Sequence, residues 1–319
     1  MKRFDVFNGD ADGICALHQL RLAEPAKATL VTGVKRDVGL LAGLGKVRGA
    51  QVTVLDLPFH ENREAALGLL ERDCRLLYFD HHFAGEVPSH PGLESHIHPS
   101  PTTCTSLLVD DYLQGAFRVW AVTGAFGDNL VHIAPRVAAG LDLTAQELGG
   151  LRTLGELINY NSYGETLEDL HIPPAKLYGA ILPYDDPLDF LTRAPEADAL
   201  QAGFSEDMAR AEAAEPILEG ESGRVFRFPA EVWARRVMGI FANRAAQEDQ
   251  NRATALIVDN SDGTIRVSVR APMAFPQGAD ALCRAFPTGG GRAGAAGITA
   301  MPESDLPRFL EAFEAAWRD

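Results

Sequence analysis

The sequence has few cysteines, and none of the four forms a CxxC pair. This spacing argues against a zinc knuckle and fits a reducing cytoplasm. Long apolar runs are also missing, since none approaches the roughly 20 residues that a membrane-spanning helix needs. The first ten residues turn acidic before the apolar region of a signal peptide could form. We therefore predict a cytoplasmic protein without a membrane partner.

Positive charge is also scarce. The chain has 29 Lys and Arg residues against 44 Asp and Glu residues, a net charge of −15. The deficit is concentrated in residues 151–222, with 4 basic and 15 acidic residues, whereas residues 223–319 have 12 arginines and 11 acidic residues. A groove for long nucleic acid usually carries a basic stripe, which this sequence lacks. We therefore expect no long duplex nucleic acid as partner, and an anion in the C-terminal third.

The first part of the chain alternates short apolar runs with helical patterns. Its 319 residues, 46% of them hydrophobic, are enough for about two domains. The predicted strands and helices, in chain order, are Phe4–Phe7, Ile14–Leu22, Thr29–Thr32, Gln51–Leu55, Glu61–Leu70 and Arg75–Phe79. This alternation predicts an α/β fold, with a parallel sheet covered by helices on both faces.

We predict three parts along the chain. Residues 1–160 form the parallel-sheet domain, and the acidic, proline-broken segment 161–222 forms a helical connector. Residues 223–319 form a smaller C-terminal α/β domain around the glycine-rich run TGGGRAGAAGI. The strands and helices predicted for this last part are Arg224–Phe228, Thr254–Asp259, Thr264–Arg270, Gly278–Ala285 and Leu306–Trp317.

Three of the predicted strands in the first domain are followed by an aspartate. Asp56 and Asp80 come directly after their strands, and Asp10 follows after Asn8 and Gly9. Each aspartate alone could be a turn residue or a helix cap. The carboxyl ends of parallel strands meet at one edge of a sheet, and ligands bind at that edge. The coincidence therefore favours one shared site.

Two more aspartates follow the same pattern. Asp12 lies two residues after Asp10 in the segment NGDADG. We expect Gly9 and Gly13 to allow unusual backbone dihedrals there, so that both carboxylates point into one site. Asp128 lies in a glycine-flanked turn after another apolar stretch.

Two adjacent histidines, His81 and His82, directly follow Asp80, which is unusual in a structural loop. Several carboxylates and an imidazole at one sheet edge could not stay ionised without cations. Mixed oxygen and nitrogen ligands favour Mn²⁺ over Mg²⁺ or Ca²⁺. Two ions joined by a bridging carboxylate would make a phosphoryl-transfer centre. The candidate metal ligands are Asp10, Asp12, Asp56, His81 and Asp128.

The order of these motifs resembles the DHH phosphoesterase superfamily. In this sequence it reads DADG, the aspartate of TVLD, DHH, GAFGD and finally GGGRAGAAG. The chain is similar over nearly its whole length to members with a C-terminal DHH-associated domain, such as RecJ-type exonucleases and oligoribonuclease-like phosphatases. The resemblance implies that the five candidate ligands hold one or two divalent ions, with Asp56 bridging two sites. It also implies that His82 faces the scissile phosphate, and we predict His82 and Asp80 as the catalytic residues.

Two positions depart from that pattern. Val6 stands where relatives with two tightly bound metals often have a histidine, so that one or two ions stay open as alternatives. Arg292 stands where the glycine motif of the relatives usually ends in histidine. Arginine keeps a hydrogen-bond donor and makes it permanently cationic. Phosphate contact is therefore retained, although the substrate can differ.

The glycine-rich run offers a second candidate site. We expect Gly289, Gly290 and Gly291 to form a loop whose backbone N–H groups approach an anion closely, with added charge from Arg292. Arg270, at the end of a predicted strand, could point to the same place. A flexible turn into a helix is the alternative. We predict that these five residues bind the substrate.

Together these features predict a metal-dependent phosphoesterase. Metal-activated water would hydrolyse phosphoester bonds in short oligonucleotides, dinucleotides or nucleotide phosphates. We expect Mn²⁺, with Mg²⁺ or Co²⁺ as alternatives. Inorganic polyphosphate or pyrophosphate is the alternative substrate, and a non-catalytic nucleotide-binding regulator is an alternative of another class. A homodimer stays open.

Overall fold

A computed structural model describes residues 1–318 of the chain. The chain folds into two compact units, of which the first comprises Met1–Ala202 and the second begins at Gly203. The acidic segment 161–222 is thus divided between the two units. Within residues 1–318, every helix is too short or too polar to span a lipid bilayer.

The first unit is built on a single parallel sheet. Its strands are β1 (Arg3–Phe7), β2 (Thr29–Thr32), β3 (Gln51–Leu55), β4 (Arg75–Asp80) and β5 (Leu93–Ile97). They lie in the order β2–β1–β3–β4–β5, and every neighbouring pair runs parallel. The four strands predicted from the alternating pattern are confirmed, and their ends agree to within one residue.

Helices cover both faces of this sheet, as predicted. The helices of the first unit are α1 (Ala11–Ala23), α2 (Phe59–Leu70), α3 (Thr105–Tyr112), α4 (Arg118–Gly127), α5 (Ala134–Ala138), α6 (Ala145–Tyr160), α7 (Pro174–Ile181) and α8 (Pro187–Arg193). Helix α9 (Pro195–Glu212) contains the boundary between the two units. On one face, Phe59 and Leu69 of α2 form a buried core with Val52, Val54 and Tyr78 of the sheet. Helix α1 packs against β1 and β3 and also contacts α3 and α4. Burial of these apolar faces stabilises the layered arrangement.

The second unit is a mixed sheet with three further helices. Its elements are β6 (Leu218–Glu219), β7 (Gly223–Phe228), α10 (Val232–Glu248), β8 (Ala253–Asp259), β9 (Thr264–Arg270), α11 (Ala279–Arg284), β10 (Gly289–Arg292), β11 (Ala295–Pro302) and α12 (Leu306–Ala316). The strand order is β10–β11–β9–β8–β7–β6, and only β7 and β8 run parallel among these pairs. A core of apolar residues that includes Val267, Ile298, Phe309 and Phe313 holds α11 and α12 to one face.

The glycine-rich run is a strand and not the expected loop. Gly289–Arg292 pairs antiparallel with the start of β11, across a connection of only two residues. Glycine is a poor strand former, so the strand conformation of this segment depends on its pairing with the neighbouring strand. A Cβ atom at Gly289 would lie 1.8 Å from the carbonyl oxygen of Cys283. Glycine is needed at this position because the end of α11 packs directly against the strand.

Candidate metal centre

The strand-end aspartates meet at the carboxyl edge of the parallel sheet. Strand β1 pairs with β3, and β3 pairs with β4, so that their ends are neighbours. Asp10 precedes α1 as its N-cap, Asp56 directly follows β3, and Asp80 is the last residue of β4. All three side chains are buried. The sheet topology therefore gathers the three residues whose spacing had suggested a shared site.

The N-terminus of helix α3 fixes the carboxylate of Asp12. The backbone N–H groups of Thr105 and Ser106 donate to its two oxygens at 2.6 and 2.7 Å, and the Ser106 hydroxyl donates as well. These donors lie in the first turn of α3, where unpaired N–H groups and the helix dipole favour negative charge. Sequence reasoning missed this contact, because its partners lie more than 90 positions apart. The result is an aspartate locked in one orientation.

Asp56 combines an unusual backbone with a buried carboxylate. Its φ angle of 58° lies in the left-handed region, which aspartate tolerates better than most non-glycine residues. The Thr105 hydroxyl donates to its Oδ1 atom at 3.2 Å. Burial, and then the charges of Asp10 and Asp12, raise the pKa of Asp56 well above its usual value. A cation beside this carboxylate would stabilise its charged form.

His81 lies at the centre of the aspartates. Its Nε2 atom is 3.5 Å from Asp56 Oδ1, 3.8 Å from Asp128 Oδ2 and 3.9 Å from Asp12 Oδ2. Burial lowers the pKa of His81, but the interactions with Asp56 and with the charges of Asp12 and Asp128 outweigh it and raise the pKa to about 10. Burial, followed by the charge of Asp12, raises the pKa of Asp128 to about 6.

His82 has a different environment from His81. Its Nδ1 atom is 2.7 Å from Asp80 Oδ1, while Asp80 Oδ2 accepts a hydrogen bond from the backbone N–H of Phe59 at 3.3 Å. Donation from Nδ1 to this fully buried carboxylate orients the ring and leaves Nε2 for another partner. The side chain of His82 is 40% exposed, compared with 16% for His81. His82 is therefore held in place and is accessible from solvent.

Two overlapping groups of side chains could hold a divalent metal ion. One comprises Asp12, His81 and Asp128, and the other comprises Asp56, His81 and His82, with the donor atoms of each group within 4.8 Å of one another. Oxygen and imidazole donors of this kind suit a divalent transition-metal ion. Burial and neighbouring carboxylates raise the pKa values of Asp56 and Asp128, and a bound cation would offset both effects. The residues present therefore fit a metal ion.

Asp10 belongs to neither group, and one of its oxygens is paired with a positively charged side chain. Gly13 N–H donates to Oδ1 at 3.0 Å, and the Lys35 ammonium pairs with Oδ2. Burial raises the pKa of Asp10, but the charge of Lys35 and its hydrogen bond outweigh this and lower it. No sequence pattern pointed to Lys35, which follows β2 in an irregular segment. Ligation by Asp10 stays a prediction.

Gly9 and Gly13 are required for a reason other than the expected one. Neither has a positive φ angle. A Cβ atom at Gly13 would instead lie 2.2 Å from the carbonyl oxygen of Asn8, and one at Gly9 would lie 2.1 Å from that of Gly33. The expectation of unusual dihedrals was wrong. Close approach of backbone segments requires glycine in this turn.

In the second unit, sheet register relates the two candidate arginines. Arg292 on β10 pairs with Ala295 on β11, which pairs with Arg270 on β9. Directly paired residues project to the same face of a sheet, so both arginines lie on one face. Their Cα atoms are two strand spacings apart, or about 10 Å. Arg270 donates to Asn243 Oδ1 at 2.7 Å and to Ser268 Oγ at 2.9 Å, whereas Arg292 is exposed. A Cβ atom added at Gly290 would meet no other atom within 4 Å.

Comparison with protein families identifies the C-terminal part of the chain. Residues 223–319 match the family model of the DHHA1 domain. The second unit carries a DHHA1 domain. The match begins at residue 223, within the second unit. A search of curated protein sequences gives no significant match.

Solved structures with similar folds cover nearly the whole chain. The Mn²⁺ complex of RecJ from Thermus thermophilus is 20% identical with a TM-score of 0.66, and the match covers 98% of this chain and 52% of RecJ. The pGpG-specific phosphodiesterase PggH from Vibrio cholerae is 15% identical with a TM-score of 0.54, over 99% of this chain and 98% of PggH. An exopolyphosphatase-related protein from Bacteroides fragilis is 13% identical with a TM-score of 0.53, over 98% and 92% of the two chains.

These matches show that the chain shares the fold of these solved structures, and that residues 223–319 within it match the DHHA1 domain. The resemblance predicted from the order of the motifs is confirmed, as is the α/β fold class. The chain spans about half the length of the Thermus RecJ.

Proposed function

We propose that this DHHA1-containing chain is a hydrolase of phosphoester bonds that uses a divalent metal ion. The observation that carries the proposal is the position of His81 Nε2, within 4 Å of carboxylate oxygens of Asp12, Asp56 and Asp128. These four residues would hold the ion, and Mn²⁺ suits their mixed donors, with Mg²⁺ and Co²⁺ as alternatives. When bound, such an ion activates water and offsets the negative charge of a phosphate.

The other residues of the centre position groups around the phosphate. Asp80 holds the ring of His82, so that Nε2 can contact a phosphate oxygen or the leaving group. The N-terminus of α3 holds Asp12 in one orientation. Because these side chains are fixed before substrate arrives, little reorganisation is needed during the reaction.

The substrate that we propose is a short phosphorylated molecule, such as a dinucleotide, a short oligonucleotide or a nucleotide phosphate. Arg270 and Arg292, with Gly289, Gly290 and Gly291, would bind one of its phosphates, and the shared face of the arginines supports this role. A fold shared with a pGpG-specific phosphodiesterase and with RecJ agrees with it. A cytoplasmic location is part of the proposal, and a homodimer stays a prediction.

Inorganic polyphosphate is the second candidate substrate. Two arginines on one sheet face can bind phosphates without any contact to a base. The similarity to an exopolyphosphatase-related protein points the same way. The two candidates differ in whether a nucleoside is needed for turnover.

A substrate panel tests the proposal. The full chain is stripped with a chelator, reloaded with Mn²⁺, Mg²⁺ or Co²⁺, and assayed on dinucleotides, 3′-phosphoadenosine 5′-phosphate, cyclic dinucleotides and polyphosphate. We expect metal-dependent turnover of a nucleotide substrate, and a loss of roughly 100-fold or more in kcat/KM for Asp128→Asn. The exposed Asp142→Asn is the matched control and should keep full activity. Binding of nucleotides without turnover under any ion would favour a non-catalytic regulator instead.

A further inference from the structure

Lys35 is anchored more firmly than an ordinary surface lysine. Its backbone N–H donates to the carbonyl oxygen of Ser162 at 2.9 Å, and its own carbonyl oxygen accepts from Asn8 Nδ2 at 3.1 Å. Both backbone groups are therefore engaged although the segment is irregular. Asn8 directly follows β1, so this contact ties Lys35 to the same sheet edge as the metal ligands.

The ammonium group of Lys35 is also held by several partners. It forms an ion pair with Asp10 Oδ2, donates to Asn159 Oδ1 at 3.0 Å, and lies 5.7 Å from the centre of the Tyr163 ring. The side chain is 29% exposed. An ammonium has three N–H donors, and Asp10 and Asn159 use two of them. One donor is thus left for an oxygen of a bound phosphate.

Three observations argue against a metal ion at Asp10. Asp10 Oδ2 is paired with the positively charged Lys35 ammonium, whereas the oxygens of Asp12 accept hydrogen bonds only from neutral N–H and hydroxyl groups. Asp10 lies outside both groups of side chains that could hold an ion. Val6, four residues before Asp10, is fully buried and offers no ligand atom. A positively charged side chain occupies the position beside Asp10 where a second cation would otherwise compensate its charge.

We propose that the Lys35 ammonium takes the place of a second metal ion in this centre. The chain then binds a single divalent ion, and Asp10 pairs with Lys35 and not with metal. The inference rests on the proposed metal-dependent function. The ion is held by Asp12, Asp56, His81 and Asp128, while the Lys35 ammonium donates to a phosphate oxygen of the substrate. A fixed ammonium does part of what a second metal ion would do, since both offset charge on the phosphate.

Metal stoichiometry and electron paramagnetic resonance test this arrangement. The full chain and the variant Lys35→Met, which removes the charge but keeps the length, are titrated with Mn²⁺ in equilibrium dialysis. We expect one Mn²⁺ per wild-type chain, with the spectrum of an isolated ion. Lys35→Met leaves Asp10 uncompensated, so a second Mn²⁺ should bind and give the spectrum of a coupled pair. Lys35→Arg keeps the charge and should retain one ion.

Controls separate this inference from the proposed function. Lys27→Met changes an exposed lysine and should bind one ion like the wild type. Two coupled ions in the wild-type chain would overturn the role of Lys35 while leaving metal-dependent hydrolysis intact. If Lys35→Met does not fold, the variant Asp10→Asn is used instead. We expect Asp10→Asn to bind one Mn²⁺ per chain like the wild type. Loss of that ion would show that Asp10 is a metal ligand and would overturn the inference. Absence of any bound Mn²⁺ would overturn the proposed function itself.

Discussion

At the residue scale, the candidate metal centre contains side chains whose preferred backbone conformation or charge state conflicts with their surroundings. Asp56 adopts a left-handed backbone and is buried near two other carboxylates. A left-handed backbone at a non-glycine residue costs on the order of 1–3 kcal/mol, and it persists where the surrounding fold imposes it. The backbone N–H of Asp56 donates to the carbonyl oxygen of Phe79 at 3.0 Å, and its side chain accepts from the Thr105 hydroxyl, so that both ends of the residue are held. We infer that stability has been given up at this position to place a ligand.

Substitution of Asp56 should separate ligation from strain. Asp56→Gly and Asp56→Ala both remove the carboxylate and should abolish tight Mn²⁺ binding. Only alanine keeps a Cβ atom in the left-handed region, so we expect the glycine variant to be more stable by about 1 kcal/mol. The measurement is urea denaturation of the metal-free variants. An alanine variant as stable as the glycine variant would show that the backbone of Asp56 is not left-handed.

The two adjacent histidines should respond differently to truncation. His81→Ala removes the group shared by both candidate ligand sets and should lose metal and turnover together. His82→Ala should lower kcat by about 100-fold or more while the metal content stays near that of the wild type. Metal analysis and steady-state kinetics on the same preparations check this. Equal loss of metal from both variants would assign His82 as a ligand.

Metal binding should release protons at neutral pH. The pKa of His81 is about 10 without metal, so its imidazole is protonated at pH 7.5 and must lose that proton to bind an ion. Affinity for Mn²⁺ should therefore rise about tenfold per pH unit between pH 7 and 9. Below pH 6 the slope should steepen, because the pKa of Asp128 is about 6 and its carboxyl takes up a proton as well. Calorimetry in buffers with different ionisation enthalpies measures the released protons, and a value near zero at pH 7.5 would contradict the prediction.

At the element scale, glycines let two helices approach closely behind the metal centre. Helix α4 ends at Gly127 and is followed directly by Asp128. A Cβ atom at Gly155 of α6 would lie 2.3 Å from the carbonyl oxygen of Thr123 and 2.9 Å from the N atom of Gly127. Backbone atoms cannot move aside as a flexible side chain can. The placement of Asp128 therefore depends on the packing of α4 against α6.

A pair of glycine substitutions in α6 tests this dependence. Gly155→Ala should push α4 away, lower the free energy of unfolding by about 1–3 kcal/mol and weaken Mn²⁺ binding. Gly149→Ala is the matched control, because its added Cβ atom meets nothing within 4 Å. Alanine is the better helix former, so this control should gain up to about 1 kcal/mol and bind Mn²⁺ normally. Thermal unfolding and Mn²⁺ titration of both variants provide the comparison. Normal Mn²⁺ binding by Gly155→Ala would show that the placement of Asp128 does not depend on the packing of α4 against α6.

At the scale of the whole molecule, charge and chemistry are divided between the two units. The candidate metal ligands belong to the first unit. Arg270 and Arg292, which share one sheet face, belong to the second. All five lysines of the chain, including Lys35, lie before residue 203. The DHHA1 domain therefore depends on arginine alone for its positive charge. Guanidinium groups bind phosphate through two parallel hydrogen bonds, which suits a subsite for a terminal phosphate.

Loss of Arg292 should affect substrates according to their size. A charge-assisted hydrogen bond to phosphate contributes roughly 1.5–3 kcal/mol, or one to two powers of ten in affinity. Arg292→Ala should raise KM for a dinucleotide or short oligomer and leave kcat nearly unchanged. A small chromogenic phosphodiester should be hydrolysed normally. Equal losses on both substrates would mean that Arg292 supports the fold or the candidate metal centre. Arg318→Ala is the control, because Arg318 is an exposed arginine of the same unit.

Much of the architecture and part of the centre could be predicted from the sequence. Strand–helix alternation indicated the parallel sheet, and the aspartates at three strand ends indicated the edge where a ligand would bind. Both inferences depend on patterns within about 25 residues and on a general rule of sheet topology. The strand formed by Gly289–Arg292 escaped prediction, because glycine carries no strand preference and only pairing with β11 defines it.

The sequence by itself determined the sheet, its ligand-binding edge and the family resemblance. Only the tertiary structure decided how the charges at that edge are compensated. The Lys35 ammonium joins Asp10 and Asn159, which lies 124 positions away, and the N-terminus of α3 meets Asp12 across more than 90 positions. Contacts at such separation leave no periodic trace in the sequence, because a single lysine or threonine looks the same in any solvent-exposed loop. Their roles emerge only when the folded chain removes the carboxylates from water and every buried charge requires a partner.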